Sequence, residues 1–345
     1  MIIAFMDGVL RLVLILCAAW GALALAHRLP LPVAGRVAAV AGWLVACGIW
    51  LWLAWQGARM APLAGMAVQM AALLAWWRSL RPAKDLDWAD DVAHLATGTV
   101  AGNRLTLHHV RHFAWQTRTE ATTAWETRHY DLDRLSSVDL FISSWGRPGI
   151  AHVLISFGFR GAGDAIDEFV AFSVEVRRER HERFSEIGGF FKQYELAIIA
   201  ADERDAVRLR SNVRGERVTL YHVTLAPEDR RELLLALVKV ANRLEKEPRF
   251  YHTITANCTT LVFAMMRRII EGLPMDHRLL LTGLLPGYVF DHGGLVEGYT
   301  LAELREQGDI TERARLAGDA ADFSRRIRRG VPGWEPITPP PDDPT

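Results

Sequence analysis

The chain has 345 residues, with 40 basic and 40 acidic side chains that leave a formal net charge of zero. That balance excludes a global electrostatic pull on nucleic acid, and no local run of aromatics among basic residues restores one. Three cysteines, none in a CxxC pair, exclude both a disulfide framework and a zinc ribbon.

Residues 1–84 read as a membrane anchor with two or three transmembrane helices. Residues 9–26 and 37–55 are nearly charge-free runs of about the 20 residues an α-helix needs to cross a bilayer. Residues 61–77, "APLAGMAVQMAALLAWW", are a weaker third run, interrupted by Gln69. Trp50, Trp52, Trp55, Trp76 and Trp77 gather at the ends of these runs, where indoles favour the water interface. A cleaved signal peptide does not fit, because no small-residue cleavage site closes the first run and further apolar runs follow. With three spans, Arg28 and Arg36 share a side with Arg78, Arg81 and Lys84, against Arg11 and Arg59 opposite. The positive-inside rule then favours a cytoplasmic soluble domain.

Residues 85–330 read as one α+β domain with its strands mostly before its helices, and residues 331–345, ending in "TPPPDDPT", as a disordered tail. "RLTLHHVRHF" and "VDLFISSW" alternate as strands do. In the first, alternation puts His108 and His112 on one face and His109 on the other, which argues against a metal cluster. "HVLISFGF" and "FVAFSVEVR" form an antiparallel hairpin around "RGAGDAIDE". A turn centred between Gly163 and Asp164 makes paired positions sum to 327. One face then carries Val153, Ile155 and Phe157 with Val170, Phe172 and Val174, and the other carries His152, Leu154 and Ser156 with Ala171, Ser173 and Glu175. His152 is the best candidate base and Glu175, opposite it, the residue to orient it and raise its pKa. Ser173, opposite Leu154, is expected to leave the ring alone. "RRERHERF" reads as a solvated face.

Residues 227–246 read as a helix, with Pro227 in the first turn, Glu228 and Asp229 at the positive end of the dipole, and a stripe of Leu233, Leu234, Leu237, Ala241 and Leu244. After "TITAN", the run "CTTLVFAMMRRII" has helical spacing, with Thr255 or Asn257 as N-cap. Cys258 therefore stands in a first helical turn, where the dipole is expected to lower its thiol pKa below the free value of about 8.5. Whether that cysteine is a nucleophile or a small core residue stays open on spacing alone. His252 is a candidate to line the site, and Asp291 with His292 forms a second, weaker base and orienter pair. Thr300 and Glu303 make a capping box that opens a later helix.

"IAHVLISFGF", "FVAFSVEVRRER", "QYELAIIAADERDAVRLRSNVRGE", "FYHTITANCTTL" and "LLTGLLPGYVFDHG" occur in this order over residues 88–298. Together they resemble the Lnb N-terminal periplasmic domain family. The resemblance implies a circularly permuted papain-like (NlpC-type) domain with an antiparallel sheet, in which a histidine strand precedes a cysteine helix. It implies His152 as the family histidine, Cys258 as the family cysteine, and a soluble domain in the periplasm of a bacterial inner-membrane protein. The family's namesake resembles a lipoprotein N-acyltransferase and carries its membrane part after the thiol domain, whereas here the apolar runs precede it.

The reading is a membrane-anchored cysteine-dependent acyltransferase or hydrolase. Cys258 attacks an ester or amide carbonyl, His152 moves the proton, Glu175 orients His152, and the Cys258 N–H with Asn257 binds the oxyanion. Such a site calls for no metal or organic cofactor. Membrane lipids, lipoproteins or cell-wall peptides are its expected partners, and nucleic acid is not. A cell-wall peptidase or amidase, and a non-catalytic membrane scaffold that kept the fold, are the alternatives.

Overall fold

A computed structural model describes residues 2–146, 149–161, 166–270 and 272–334. The chain divides into two compact units. One holds residues 1–83 with 183–195, and the other holds residues 84–182 with 196–345.

In the first unit the apolar runs form three helices: α1 (Ile2–Arg28), α2 (Val33–Trp55) and α3 (Met60–Ser79). All three are long and apolar enough to cross a membrane. Large side chains such as Leu12, Val45 and Val68 face outward, as lipid-facing positions do. Helix contacts use the devices that work without a hydrophobic driving force, namely small residues and hydrogen-bonded indoles. Gly21 admits the Trp43 ring, since a Cβ there would lie 2.2 Å from it, and Trp43 Nε1 donates to the Ala18 carbonyl at 2.9 Å. Gln69, the polar break in the third run, is satisfied inside the bundle, accepting from Trp50 Nε1 at 2.9 Å and donating to Cys47 Sγ at 3.4 Å.

The second unit is a mixed α+β domain. Its strands are β1 (Thr97–Ala101), β2 (Arg104–Arg111), β3 (Ala114–Trp115), β4 (Ala121–Thr122), β5 (Trp125–Asp131), β6 (Leu135–Ser144), β7 (Ala151–Arg160), β8 (Ile166–Arg177), β9 (Glu195–Ala201) and β10 (Arg217–His222). The main sheet runs β1-β2-β9-β8-β7-β6-β10, with β5 also on β2, and β3 pairs β4 separately. The expected antiparallel sheet is corrected where β2 and β9 pair in parallel, at Val110 and Arg111. Its helices are α4 (Glu203–Arg208), α5 (Pro227–Lys246), α6 (Cys258–Ile269), α7 (Leu285–Asp291), α8 (Leu301–Gln307), α9 (Thr311–Ala317) and α10 (Phe323–Arg328). The apolar stripe of α5 is buried as its spacing requires, and the Thr300–Glu303 capping box opens α8.

The alternation expected to put His108 and His112 on one face fails. A bulge interrupts β2 between Leu107 and Val110, and His109 takes a positive φ of 58° within it. The three histidines scatter: His109 stacks on His94, His108 meets Thr127, and His112 joins Glu126 and Arg128. Among the described residues, no cluster of three or more metal-ligating side chains forms.

The C-terminal segment is tied to the sheet by a buried ion network. Arg328, almost fully buried, donates to Asp139 at 2.8 Å and Glu203 at 2.6 Å, and Trp334 Nε1 donates to Asp139 at 3.0 Å. Val331 and Trp334, both within the expected tail, thus pack onto the domain core. Residues 335–345 lie outside the described residues.

Candidate active site

β7 and β8 pair with positions summing to 327, from Leu154↔Ser173 through Phe159↔Glu168. The register read from hydrophobic alternation is therefore the register of the fold, and Val153, Ile155, Phe157, Val170, Phe172 and Val174 are all buried. The turn residues Gly163 and Asp164 lie outside the described residues. Leu154↔Ser173 is the last pair of the ladder. Just beyond it the Val153 N–H lies near the Cys258 sulfur, at the place where α6 meets β7 and β8.

Cys258 is held there by its cap. Asn257 Oδ1 accepts from the N–H groups of Thr259 at 2.9 Å and Thr260 at 2.8 Å, and the Thr260 hydroxyl accepts from the Asn257 N–H at 3.1 Å. This reciprocal box satisfies donors that a helix start otherwise leaves open, a contribution of about 0.5–2 kcal/mol. Asn257 Nδ2 donates to the Thr253 carbonyl at 2.7 Å. Asn257 Oδ1 and one Nδ2 N–H thereby shape the helix start. The N–H groups of Val153 and Cys258 also lie near the sulfur, and the Thr259 hydroxyl is buried without a hydrogen-bond partner among the described residues.

The histidine side of the site is a relay. His152 Nε2 lies 2.7 Å from Ser173 Oγ and 3.1 Å from Glu175 Oε1, and Ser173 Oγ donates to the same carboxylate oxygen at 2.6 Å. Ser173 is not a bystander, because side chains on one face of an antiparallel pair also reach their diagonal neighbours. Arg210, buried on a π-helical turn (Leu209–Val213) that continues α4, places its guanidinium 3.5 Å from Glu175 and 3.5 Å from Glu216. Such turns re-aim a side chain by one position and recur at functional sites. Sequence reading missed Ser173 and Arg210. The polar second face of the hairpin was the available signal for the serine, and nothing local marked the arginine.

Two expected pKa directions are reversed by burial. Burial pushes the Cys258 thiol up, and the nearby N–H groups only partly offset it. Burial pushes the His152 imidazole down and Arg210 adds to this, outweighing the opposite pull of Glu175. Glu175 shows the reverse balance: burial alone would raise it, but His152, Arg210 and Ser173 hold its carboxyl well below the usual range. Helix-start and ion-pair arguments omit desolvation, which is the leading influence on both the thiol and the imidazole. Burial thus disfavours charge on both the thiol and the imidazole, while the Glu175 carboxyl is held low. Iodoacetamide alkylation of Cys258 should therefore rise with a midpoint above the ordinary thiol's about 8.5. A plateau reached below pH 8 would show a resting ion pair instead.

The remaining candidates have other partners. His252 Nδ1 accepts from the N–H groups of Ile254 and Thr255, closing the turn that leads into the Asn257 cap. Asp291 pairs with Arg278 at 2.5 Å. His292 stacks on Tyr288 with ring centroids 4.3 Å apart, and its Nδ1 lies 2.8 Å from the Tyr288 carbonyl oxygen. The expected Asp291–His292 pair does not form. Burial pushes the Tyr251 phenol up, and the nearby Glu175 carboxylate adds to this.

No curated protein and no solved structure matches the chain. A family model described as the Lnb N-terminal periplasmic domain matches residues 121–283, a span that holds His152, Ser173, Glu175, Arg210 and Cys258. With its three membrane-spanning candidates the match fits a membrane protein with a periplasmic domain, against the side that the arginine count favoured. Over residues 121–283 the chain is similar to the Lnb N-terminal periplasmic domain family.

Proposed function

We propose that the soluble unit is a cysteine-dependent acyltransferase or hydrolase of the bacterial inner membrane, with Cys258 as nucleophile, His152 as base and Glu175 as orienter. One observation carries the reading. His152 Nε2 is held by Ser173 and Glu175, and the N–H of the adjacent Val153 lies near the Cys258 sulfur. With Nε2 so committed, Nδ1 is the nitrogen that serves the thiol. The order of histidine strand, carboxylate strand and cysteine helix agrees with a circularly permuted papain-like (NlpC-type) arrangement.

In this reading the Cys258 Sγ–H proton moves to His152 Nδ1 as sulfur attacks an ester or amide carbonyl. The carbonyl oxygen becomes an oxyanion and takes a hydrogen bond from the Cys258 N–H at the start of α6. Collapse expels an alcohol or amine, which leaves with the proton from Nδ1, and a thioester remains on Cys258. An acceptor amine or water then attacks that thioester, again losing its proton to Nδ1, and restores the thiol. Glu175 stays ionised throughout and stabilises the transient imidazolium. Burial of the neutral pair postpones charge formation until a substrate carbonyl is present to receive the sulfur.

Mass spectrometry of Cys258 in protein taken from its native membrane tests the substrate class. A fatty-acyl increment removed by neutral hydroxylamine is the expected result. A peptidyl increment would reassign the enzyme to cell-wall peptides, and a persistently unmodified thiol in trapped, substrate-supplied samples would count against covalent catalysis.

A further inference from the structure

The connection from β8 to β9 belongs to the compact unit of the membrane helices, not to the sheet it joins. Its inner side is well anchored. The Phe191 ring stacks on His27 at 5.8 Å and lies 6.4 Å from Trp20 and 6.3 Å from Trp77. Lys192 Nζ donates to the Trp77 carbonyl at 2.8 Å, and His27 Nδ1 lies 2.9 Å from Gln193 Oε1. Tyr194, fully buried, closes the loop on itself: its hydroxyl accepts from the Ser185 N–H at 2.8 Å and donates to the Arg183 carbonyl at 2.7 Å. The outer side exposes Phe184 (57%) and Ile187 (53%), the Phe184 ring lying 6.3 Å from that of Tyr194 and Arg183 and Glu186 being exposed beside them.

These contacts fix the level of the loop along the helices. His27 and Trp77 stand in the last turns of α1 and α3, and Trp20 stands eight residues before the end of α1, about 12 Å at 1.5 Å per residue. That depth is where hydrocarbon gives way to headgroups and where tryptophans gather. Arg28, Arg81 and Lys192 lie near one another at the same end, suited to lipid phosphates. A self-closed loop that turns Phe184 and Ile187 outward at this level presents the amphipathic surface of an interfacial segment, with large apolar side chains next to charged ones.

We propose that residues 183–195 form an interfacial strap that inserts Phe184 and Ile187 into the bilayer leaflet in which α1 and α3 end. The proposal does not depend on the catalytic reading.

Site-directed spin labelling tests it on the full chain in phospholipid nanodiscs, with Cys17, Cys47 and Cys258 replaced by alanine. Nitroxides are placed separately at Phe184→Cys and Ile187→Cys, with Leu316→Cys, 85% exposed on α9, as the aqueous reference. The expected result is a ratio of oxygen to nickel-chelate collision rates several-fold higher at 184 and 187 than at 316. Ratios equal to that at 316 would overturn the proposal by placing the strap in water. Immobilised, dipolar-broadened spectra shielded from both colliders would also overturn it, by showing a second copy of the chain there. Two independent sites keep the test decisive if one variant misfolds, and hydrogen exchange of residues 184–190 in the unlabelled protein gives a third readout: slow exchange in nanodiscs supports insertion and fast exchange opposes it.

Discussion

Cys258→Ala is expected to abolish turnover while leaving the domain folded. The sulfur is one small atom at the start of a helix whose cap comes from Asn257 and Thr260, so its loss costs the fold about 1 kcal/mol, the centre of the range for point substitutions. Its chemical role has no substitute nearby. Ser173 is engaged by His152 Nε2 and Glu175, on the far side of the ring from the nitrogen that would serve the thiol. In a well-studied serine hydrolase, removing the nucleophile costs about 2 × 10⁶ in kcat, and a loss of that order is expected here. Paired measurements of turnover and thermal unfolding decide the matter. Retained activity would move the chemistry elsewhere in the molecule, and lost activity with a collapsed melting transition would make Cys258 structural.

Glu175→Ala is expected to have the next largest effect, lowering kcat by up to about 10⁴, the loss known when a catalytic triad loses its orienting acid. The carboxylate both accepts from Ser173 and faces the ring, so its removal frees the imidazole to rotate and withdraws the charge that stabilises its cation. The sign of the pH effect follows. Glu175 raises the His152 pKa against burial and Arg210, so without it the imidazole titrates lower still, and the ascending limb of the pH–rate profile moves to lower pH at a reduced plateau. Stability changes with it. A carboxyl held below its unfolded value of about 4.3 stabilises the fold above that pH and loses its contribution as pH falls through the depressed value. The variant should therefore lose this acid dependence. Ser173→Ala should cost less, since Glu175 Oε1 still lies 3.1 Å from Nε2. Glu168→Ala, exposed and paired with Phe159 at the turn end, should cost nothing. Equal, small effects at 175 and 168 would mean that another group holds the ring.

Much of this architecture is written in local patterns. Three apolar runs define three helices long and apolar enough to span a bilayer, because a bilayer demands length and apolarity and little else. The hairpin register follows from alternation, since a slip of one residue would have turned Val153, Ile155 and Phe157 from one face to the other. Pro227, Asn257 and Thr300 mark helix starts because capping chemistry is confined to a few neighbouring residues. These features depend on groups close in sequence, and sequence displays such groups side by side.

What the tertiary structure decided depends on groups far apart in the chain. Arg210 reaches Glu175 from 35 residues away, aimed by a π-turn that no residue pattern announced. Residues 183–195 leave the sheet they connect and join the membrane helices, because Phe191 finds its partners in Trp20, His27 and Trp77. The charge state of the candidate site turned on burial. A helix dipole and a facing carboxylate can be read from spacing, and both favour charge at Cys258 and His152. Desolvation favours neutrality, and its size is set by everything packed around the two groups, which only the folded chain assembles.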